Sequence, residues 1–590
     1  MLGRRRLIAG VGAASAASLT APSVNAAATV AFTHGVASGD PLHTAVVIWT
    51  RVVSKSLGPV TVAWEIAEAE SFDRVLQRGS TTTDASLDYT VKVDVTNLEP
   101  GRIYFYRFMA GDAISPVGRT RTFPQNGHDP LKLAVMCCAN VGQGFFNVYR
   151  HCADRDDIDV VLHIGDYIYE YPPGENSDEE IAMGRRIAEP RKKLVNLSDY
   201  RLRYGSYRID PDLQEIHRRH PFIVVWDDHE IANNAFKDGS ENHWSSEGTW
   251  EQRKASAIKA YFEWMPIRPL TPDPTGRIFR CFDIGELATI VMLDTRLYGR
   301  ERGPGGANII FVSQPGENGE PGIPIPYDAR QSPPQARPDM IAQVGGDPEK
   351  LPEGHIFMPD FVRYKAEVLY AERSILGAEQ EAWLADTLKA SKARGMPWQI
   401  LGQQTIASTF VPVDPSPHMD PAKAGRFNTD FFTRMRIQEQ NNMPFASDAW
   451  GGGYLKSRDR MIGALRDHAN NTIILSGDLH NAWGFVHKDD AGEMRAFEVT
   501  TASVTSPGME SFMGTRGPAM AAAMRAKNEN LVYAELASRG YAVLAVKPDA
   551  VEVEWTFVDT VTSKTFTAKV DQRITVVART PKSAMHFVSA

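Results

Sequence analysis

From Leu131 onward the chain repeats one arrangement: a continuous apolar run, then a turn bearing a carboxylate, a histidine or a thiol. The runs fall at 133–136, 160–164, 222–225, 288–293, 398–401, 472–475 and 497–500. A strand with no polar alternation has to be covered on both faces, and the long segments between the runs are where covering helices fit. Helical patterning lies between them at 145–153, 250–264 and 379–393. These features predict a layered α/β domain with one or two sheets. In such folds the loops at the carboxyl edge of the strands build the ligand site, so residues distant in sequence are expected to converge there.

The pattern before Leu131 is different. Between 28 and 125 short segments alternate polar and apolar residues, as in Val60-Thr-Val-Ala-Trp-Glu-Ile66, and turn-formers such as Leu98-Glu-Pro-Gly101 separate them. Period-two alternation with regular turns predicts a small β-sandwich. Residues 126–590 then form the α/β part, with a Pro/Gly-rich insertion at about 300–360 that is either a lid or rim or a plain surface excursion. Apolar segments at 541–546, 551–557 and 566–570 are expected to add antiparallel strands.

Residues 1–27 read as a twin-arginine signal peptide: arginines at 4–6, an Ala/Gly-rich stretch, then small residues around Ala26. The alternative of a membrane anchor is disfavoured because the apolar run is short and interrupted, against roughly 20 residues for a spanning helix. The protein is therefore expected to be exported, periplasmic or secreted, with the twin-arginine machinery as a partner and no stable membrane insertion. A formal net charge of -8 argues against a general nucleic-acid-binding surface. Only four cysteines are present, too few for a disulfide-stabilised scaffold of 590 residues.

Five strand ends carry the chemistry. In HIGDYIYEY, Asp166 follows a glycine that permits a sharp turn, and Tyr169 lies three residues on; carboxylate and phenolate oxygens are hard ligands suited to Fe³⁺. Tyr167 and Tyr171 read as packing. In WDDHE, the neighbouring carboxylates Asp227 and Asp228 repel unless a cation lies beside them. His229 can orient a phosphoryl oxygen or protonate a leaving group, and Asn233 either ligates a cation or caps and hydrogen-bonds. In LSGDLH, Asp478 and His480 point into one site if the chain stays extended. Gln403 either adds an amide oxygen or does not, and Arg296 either neutralises a bound phosphate or pairs with Asp294. Together these segments suggest a two-metal site.

The block order HGVASGDP, IWTRV, GDYIYEY, VWDDHE, LDTR and SGDLH resembles the PhoD-like alkaline phosphatase branch of the metallophosphoesterase superfamily across nearly the whole mature chain. GD-x-x-Y is intact as Gly165, Asp166 and Tyr169; WDDHE stands where the superfamily has GNHE, and GDLH where it has GH-x-H. The resemblance implies a four-layer α/β/β/α metallophosphoesterase domain behind a fibronectin-III-like sandwich. It also implies that a cysteine at position 138 replaces the leading Asp ligand, leaving Cys137 as strand packing. Cys138, Asp166, Tyr169 and His480 would then surround Fe³⁺. Asp166 would bridge towards a second cation, such as Ca²⁺, held by Asp228 and Asp478, with Asn233 and Gln403 less secure and the division of Asp478 and His480 between the metals reversible.

The activity so implied is hydrolysis of phosphomonoesters or phosphodiesters by a metal-bound hydroxide or oxide, with His229 and Arg296 as catalytic residues, serving phosphate scavenging. A phospholipase-D-like phosphodiesterase on the same scaffold is the nearest alternative. An adhesion protein with a dead α/β part is the distant one.

Overall fold

The structure is a computed structural model and describes residues 30–589 except 56–57, 173–187, 272, 274–275, 305–309, 317–320, 421–428 and 446–447. The signal segment at 1–27 lies outside the described residues. The first seven principal strands are β1 (Val36–Gly39), β2 (Val46–Arg51), β3 (Val60–Ala67), β4 (Val75–Thr83), β5 (Thr90–Val95), β6 (Ile103–Ala110) and β7 (Gly118–Arg121). They form two facing layers, β7-β6-β3-β4 and β1-β2-β5. In β6 every second residue, Tyr104, Tyr106, Phe108 and Ala110, is buried, and these pack with Val62 and Ile66 of the neighbouring β3 and with Val46 and Ile48 of the facing layer.

The β1-β2-β5 layer does not stop at the sandwich. Gly39 pairs in parallel with Phe222 of the next unit, and the Asp40 amide donates to the Phe222 carbonyl at 2.9 Å. Only glycine permits this approach, because a Cβ at position 39 would lie 2.2 Å from the Pro266 carbonyl oxygen and 2.7 Å from that of Phe222. The two units that alternation and apolar runs distinguish therefore share one sheet.

That sheet is built on β8 (Leu131–Met136), β9 (Val160–His163) and β10 (Phe222–Val224), all parallel. Helices α1 (Asn147–Ala153), α2 (Leu197–Arg208), α3 (Pro211–Arg219) and α4 (Trp250–Trp264) fill the crossovers. Local chemistry sets their starts. Asn196 and Asp199 close a capping box on α2, and Asp210 accepts from the amides of Asp212 and Leu213, with Pro211 at the first position of α3.

The second sheet contains β11 (Arg280–Ile284), β12 (Ala288–Met292), β13 (Trp398–Gly402), β14 (Asn471–Ser476), β15 (Ala482–Lys488), β16 (Met494–Thr500) and β17 (Leu531–Glu535), in the order β11-β12-β13-β14-β16-β15-β17. Its alternate residues separate cleanly. Ile290, Ile400, Ile473, Leu475 and Phe497 join the core shared with the first sheet, whereas Val291, Leu401, Ile474 and Ala496 pack under α5 (Gly377–Ala393) and α6 (Leu455–His468). Strands apolar on both faces thus become the inner layers of a four-layer α/β/β/α domain. The chain ends by returning to the first sheet: β18 (Arg539–Val546) lies antiparallel to β8, followed by β19 (Ala550–Val558), β20 (Ala568–Val577) and β21 (His586–Ser589). Described parts of the 300–360 tract form short antiparallel ladders over a small core of Met340, Val344 and Phe357. Among the described residues no helix is long and apolar enough to cross a membrane.

Candidate metal centre

The turns that follow β8, β9, β10 and β14 meet, and backbone hydrogen bonds lock them together. The Cys138 amide donates to the Gly165 carbonyl at 3.2 Å, and the Ala139 amide to that of Asp166 at 2.8 Å. Gly165, at φ +118°, lets the third turn approach: a Cβ there would lie 2.3 Å from that of Asp227. Cys138, Asp166, Asp478 and His480 all have φ between 54° and 64°. Left-handed backbone is uncommon for residues with a Cβ, and a cluster of such residues is a mark of functional turns. The extended path expected for Asp478 and His480 is therefore corrected, because both turn through the left-handed region.

Three overlapping groups of donor atoms result, each within 4.8 Å: Cys138, Asp166 and His480; Asp166, Asp228 and His229; and Asp227, Asp228 and Asp478. Asp166 links the first group to the second, and Asp228 the second to the third. Tyr169 adds a phenol to the first group, since its hydroxyl donates to Asp166 Oδ2 at 3.0 Å and lies 3.3 Å from His480 Nε2. His480 and Asp478 thus fall into different groups. The Cys137 sulfur lies against Gly477, where an added Cβ would be 2.7 Å from it, and near the carbonyls of Thr501 and Ala502 at 4.0 and 3.9 Å.

The donor chemistry fits cations. His480 Nδ1 lies 2.7 Å from the Pro507 carbonyl, to which it donates, leaving Nε2 with its lone pair, and burial lowers the ring's pKa to about 4. Burial pushes Cys138, Asp166 and Asp227 well above their ordinary ranges, and neighbouring negative groups add to it. Asp478 rises to about 6, chiefly by burial. Asp228, although buried, is held low by Arg296 and His229, and its Oδ1 has no hydrogen-bond donor. A thiol, a phenol, carboxylates and a neutral imidazole gathered out of water form a set that cations would stabilise in its ionised form.

Two sequence expectations need correction here. Arg296 is fully buried, and its nitrogens are bonded to carboxylates: Nε to Asp227 at 2.5 Å, Nη1 to Asp448 at 2.6 Å and Nη2 to Asp478 at 2.8 Å. Its guanidinium is not left to meet a phosphate, and Asp294 accepts from the Arg296 amide instead of pairing with the side chain. Gln403 is also spent within the fold, accepting from the Thr405 amide and Trp450 Nε1 while donating to the Thr405 carbonyl. Asn233 stands at the rim, where its Oδ1 accepts from Tyr171 at 2.7 Å. Tyr171, read as packing, therefore also makes a polar contact. Tyr167 is buried, with its hydroxyl 2.9 Å from His217 Nε2.

Three functional partners were not read from the sequence. Glu230, completely enclosed, accepts from the amides of Asp166, Tyr167 and Asp227 and so ties the β9 turn to the β10 turn. Glu170 accepts from His229 Nδ1 at 2.7 Å. Ser506 Oγ lies 2.7 Å from the Tyr169 hydroxyl and 3.0 Å from the Cys138 carbonyl, with one hydrogen to give to either. The acids were visible as neighbours of Tyr169 and His229, but their direction was not. Burial works against a charged His229, yet Asp228, Asp166 and Glu170 outweigh it and raise its pKa well above the ordinary range.

Two facing sheets thus gather at their carboxyl edges a buried donor set able to hold metal ions. Residues 133–555 match the profile of the PhoD-like phosphatase family, and residues 16–124 match the profile of the PhoD-like phosphatase N-terminal domain. Alkaline phosphatase D of Bacillus subtilis (strain 168) is 31% identical over 532 residues, covering 86% of this chain and 76% of the relative. A solved structure described as the structure of PhoD superposes with a TM-score of 0.70 at 27% identity, covering 95% of this chain and 92% of that one. The chain belongs to the PhoD-like phosphatase family, and it is an enzyme with phosphatase activity.

Proposed function

We propose that the chain is an exported hydrolase of phosphomonoesters, phosphodiesters or both, working in phosphate scavenging. The observation that carries this reading is the meeting of Cys138, Asp166 and His480 donor atoms within 4.8 Å, with the Tyr169 hydroxyl donating to Asp166. Thiolate, phenolate, carboxylate and imidazole suit Fe³⁺, and the all-oxygen side around Asp228 and Asp478 suits a hard divalent cation such as Ca²⁺. Bound there, such cations would activate water as a nucleophile and take up phosphoryl charge. The chain's own residues supply the rest. Arg296 and Glu230 hold the ligand turns in register, and His229 hands a proton to the leaving oxygen. Export rests on Arg4, Arg5 and Arg6 ahead of the Ala/Gly-rich stretch.

Turnover of an aryl phosphomonoester, a bis-aryl phosphodiester and a phospholipid, measured before and after chelation, tests the reading. Loss of phosphoester turnover on chelation, and its return with iron and calcium, is expected. Full turnover in a metal-stripped enzyme contradicts it, and turnover confined to the phospholipid would favour the phospholipase-D-like alternative.

A further inference from the structure

We infer that Glu170 is a positioning residue that fixes the catalytic orientation of His229, an inference that rests on the leaving-group role just given to that histidine. Glu170 is wholly buried: Oε2 lies 2.7 Å from His229 Nδ1, while Oε1 accepts from the Asn233 amide at 2.7 Å and Asn242 Nδ2 at 3.1 Å. With Nδ1 held against Glu170, the ring nitrogen left to exchange a proton with substrate is Nε2. The ring has little freedom to turn. Tyr169 stacks on it with centroids 4.3 Å apart and planes 30° apart, and Tyr171 meets it edge-on at 5.1 Å.

Glu170 belongs to none of the three donor groups, so its influence on the reaction runs through the imidazole. Its place in the chain makes that influence direct. Asp166, Tyr169 and Glu170 leave the same turn after β9, whereas Asp228 and His229 leave the turn after β10. The 2.7 Å contact therefore sets the proton donor relative to ligands on both turns. An acid side chain on Nδ1 holds the ring in one orientation, as a buried acid does for the histidine of a hydrolase triad.

The test compares H229A, E170A and E170Q in the metal-loaded enzyme on two monoesters: an aryl phosphate, whose leaving oxygen needs little protonation, and an alkyl phosphate, whose leaving oxygen needs much. H229A and E170A are each expected to lower kcat on the alkyl ester about 100-fold, within the range for general acid catalysis. On the aryl ester the loss should be under about tenfold, with KM and metal content unchanged. The double variant should be no slower than H229A alone. E170Q, which keeps the volume but loses the charge, should show the same selectivity with a smaller loss, and it decides the matter if E170A fails to fold. Equal losses on both esters in E170Q, alongside a selective loss in H229A, overturn the role of Glu170. No selectivity in H229A overturns the reading of His229 itself.

Discussion

At the scale of single residues, the adjacent thiols Cys137 and Cys138 face different surroundings. Cys138 reaches the donors of Asp166 and His480, whereas Cys137 packs on Gly477. Cys138→Ala is expected to abolish bound iron and turnover. Cys137→Ala should keep both and cost about 1 kcal/mol of stability, as for a small buried truncation. Elemental analysis and a melting curve check both outcomes. Arg296 is held by several carboxylates at once, so Arg296→Met leaves buried acids without their counter-charge. A loss of about 3–5 kcal/mol, with reduced metal occupancy, is expected, and Arg296→Lys should rescue little because an ammonium cannot span separated oxygens. Near-wild-type melting of Arg296→Met would contradict this. Asp166 and Tyr169 were legible because a glycine-bounded turn at a strand end leaves an acid and a phenol few other roles. Arg296 and Gln403 were not, because their partners Asp448 and Trp450 lie 152 and 47 residues away.

At the scale of elements, continuous apolar runs predicted the strands of both inner layers because such runs are stable only when covered on both faces. The strand ends could also be placed in the ligand region, since sheet edges are where a layered fold opens to ligands. What the runs could not convey is strand order. The contact between Gly39 and Phe222 depends on the space left by a missing side chain, a property of two segments 183 residues apart that no local pattern records. Gly39→Ala should therefore lower stability by about 2–4 kcal/mol and leave metal content intact once folded. Gly165→Ala strikes a turn that carries a ligand, and it should lower metal content as well as the melting temperature. Identical metal occupancy in the two variants would contradict the separation of roles.

At the scale of the whole molecule, the ten-strand sheet makes the sandwich and the α/β layers one hydrogen-bonded body, although their sequence patterns differ sharply on either side of Leu131. The metal centre sits among buried acids of that body, so metal removal should give stability a particular pH dependence. Burial raises Glu230 to about 7 and Asp478 to about 6 in the folded chain, above their ordinary values of 4.5 and 3.8. Across that window the folded chain keeps protons that the unfolded chain has already lost. The contribution of these groups is therefore present at low pH and disappears as pH rises through 6 to 7. The chelated protein should melt progressively lower over this window, and reloaded metal should flatten the trend. Chelated and loaded proteins with parallel profiles would contradict it.

The most direct test of the account is the visible absorption spectrum of the purified protein, taken with its iron content. A tyrosinate-to-Fe³⁺ charge-transfer band that disappears in Tyr169→Phe is expected, because the Tyr169 phenol stands against Asp166 and His480 in the group that Cys138 completes. An active enzyme without iron, or a band that survives Tyr169→Phe, would contradict the assignment of that group as the iron site.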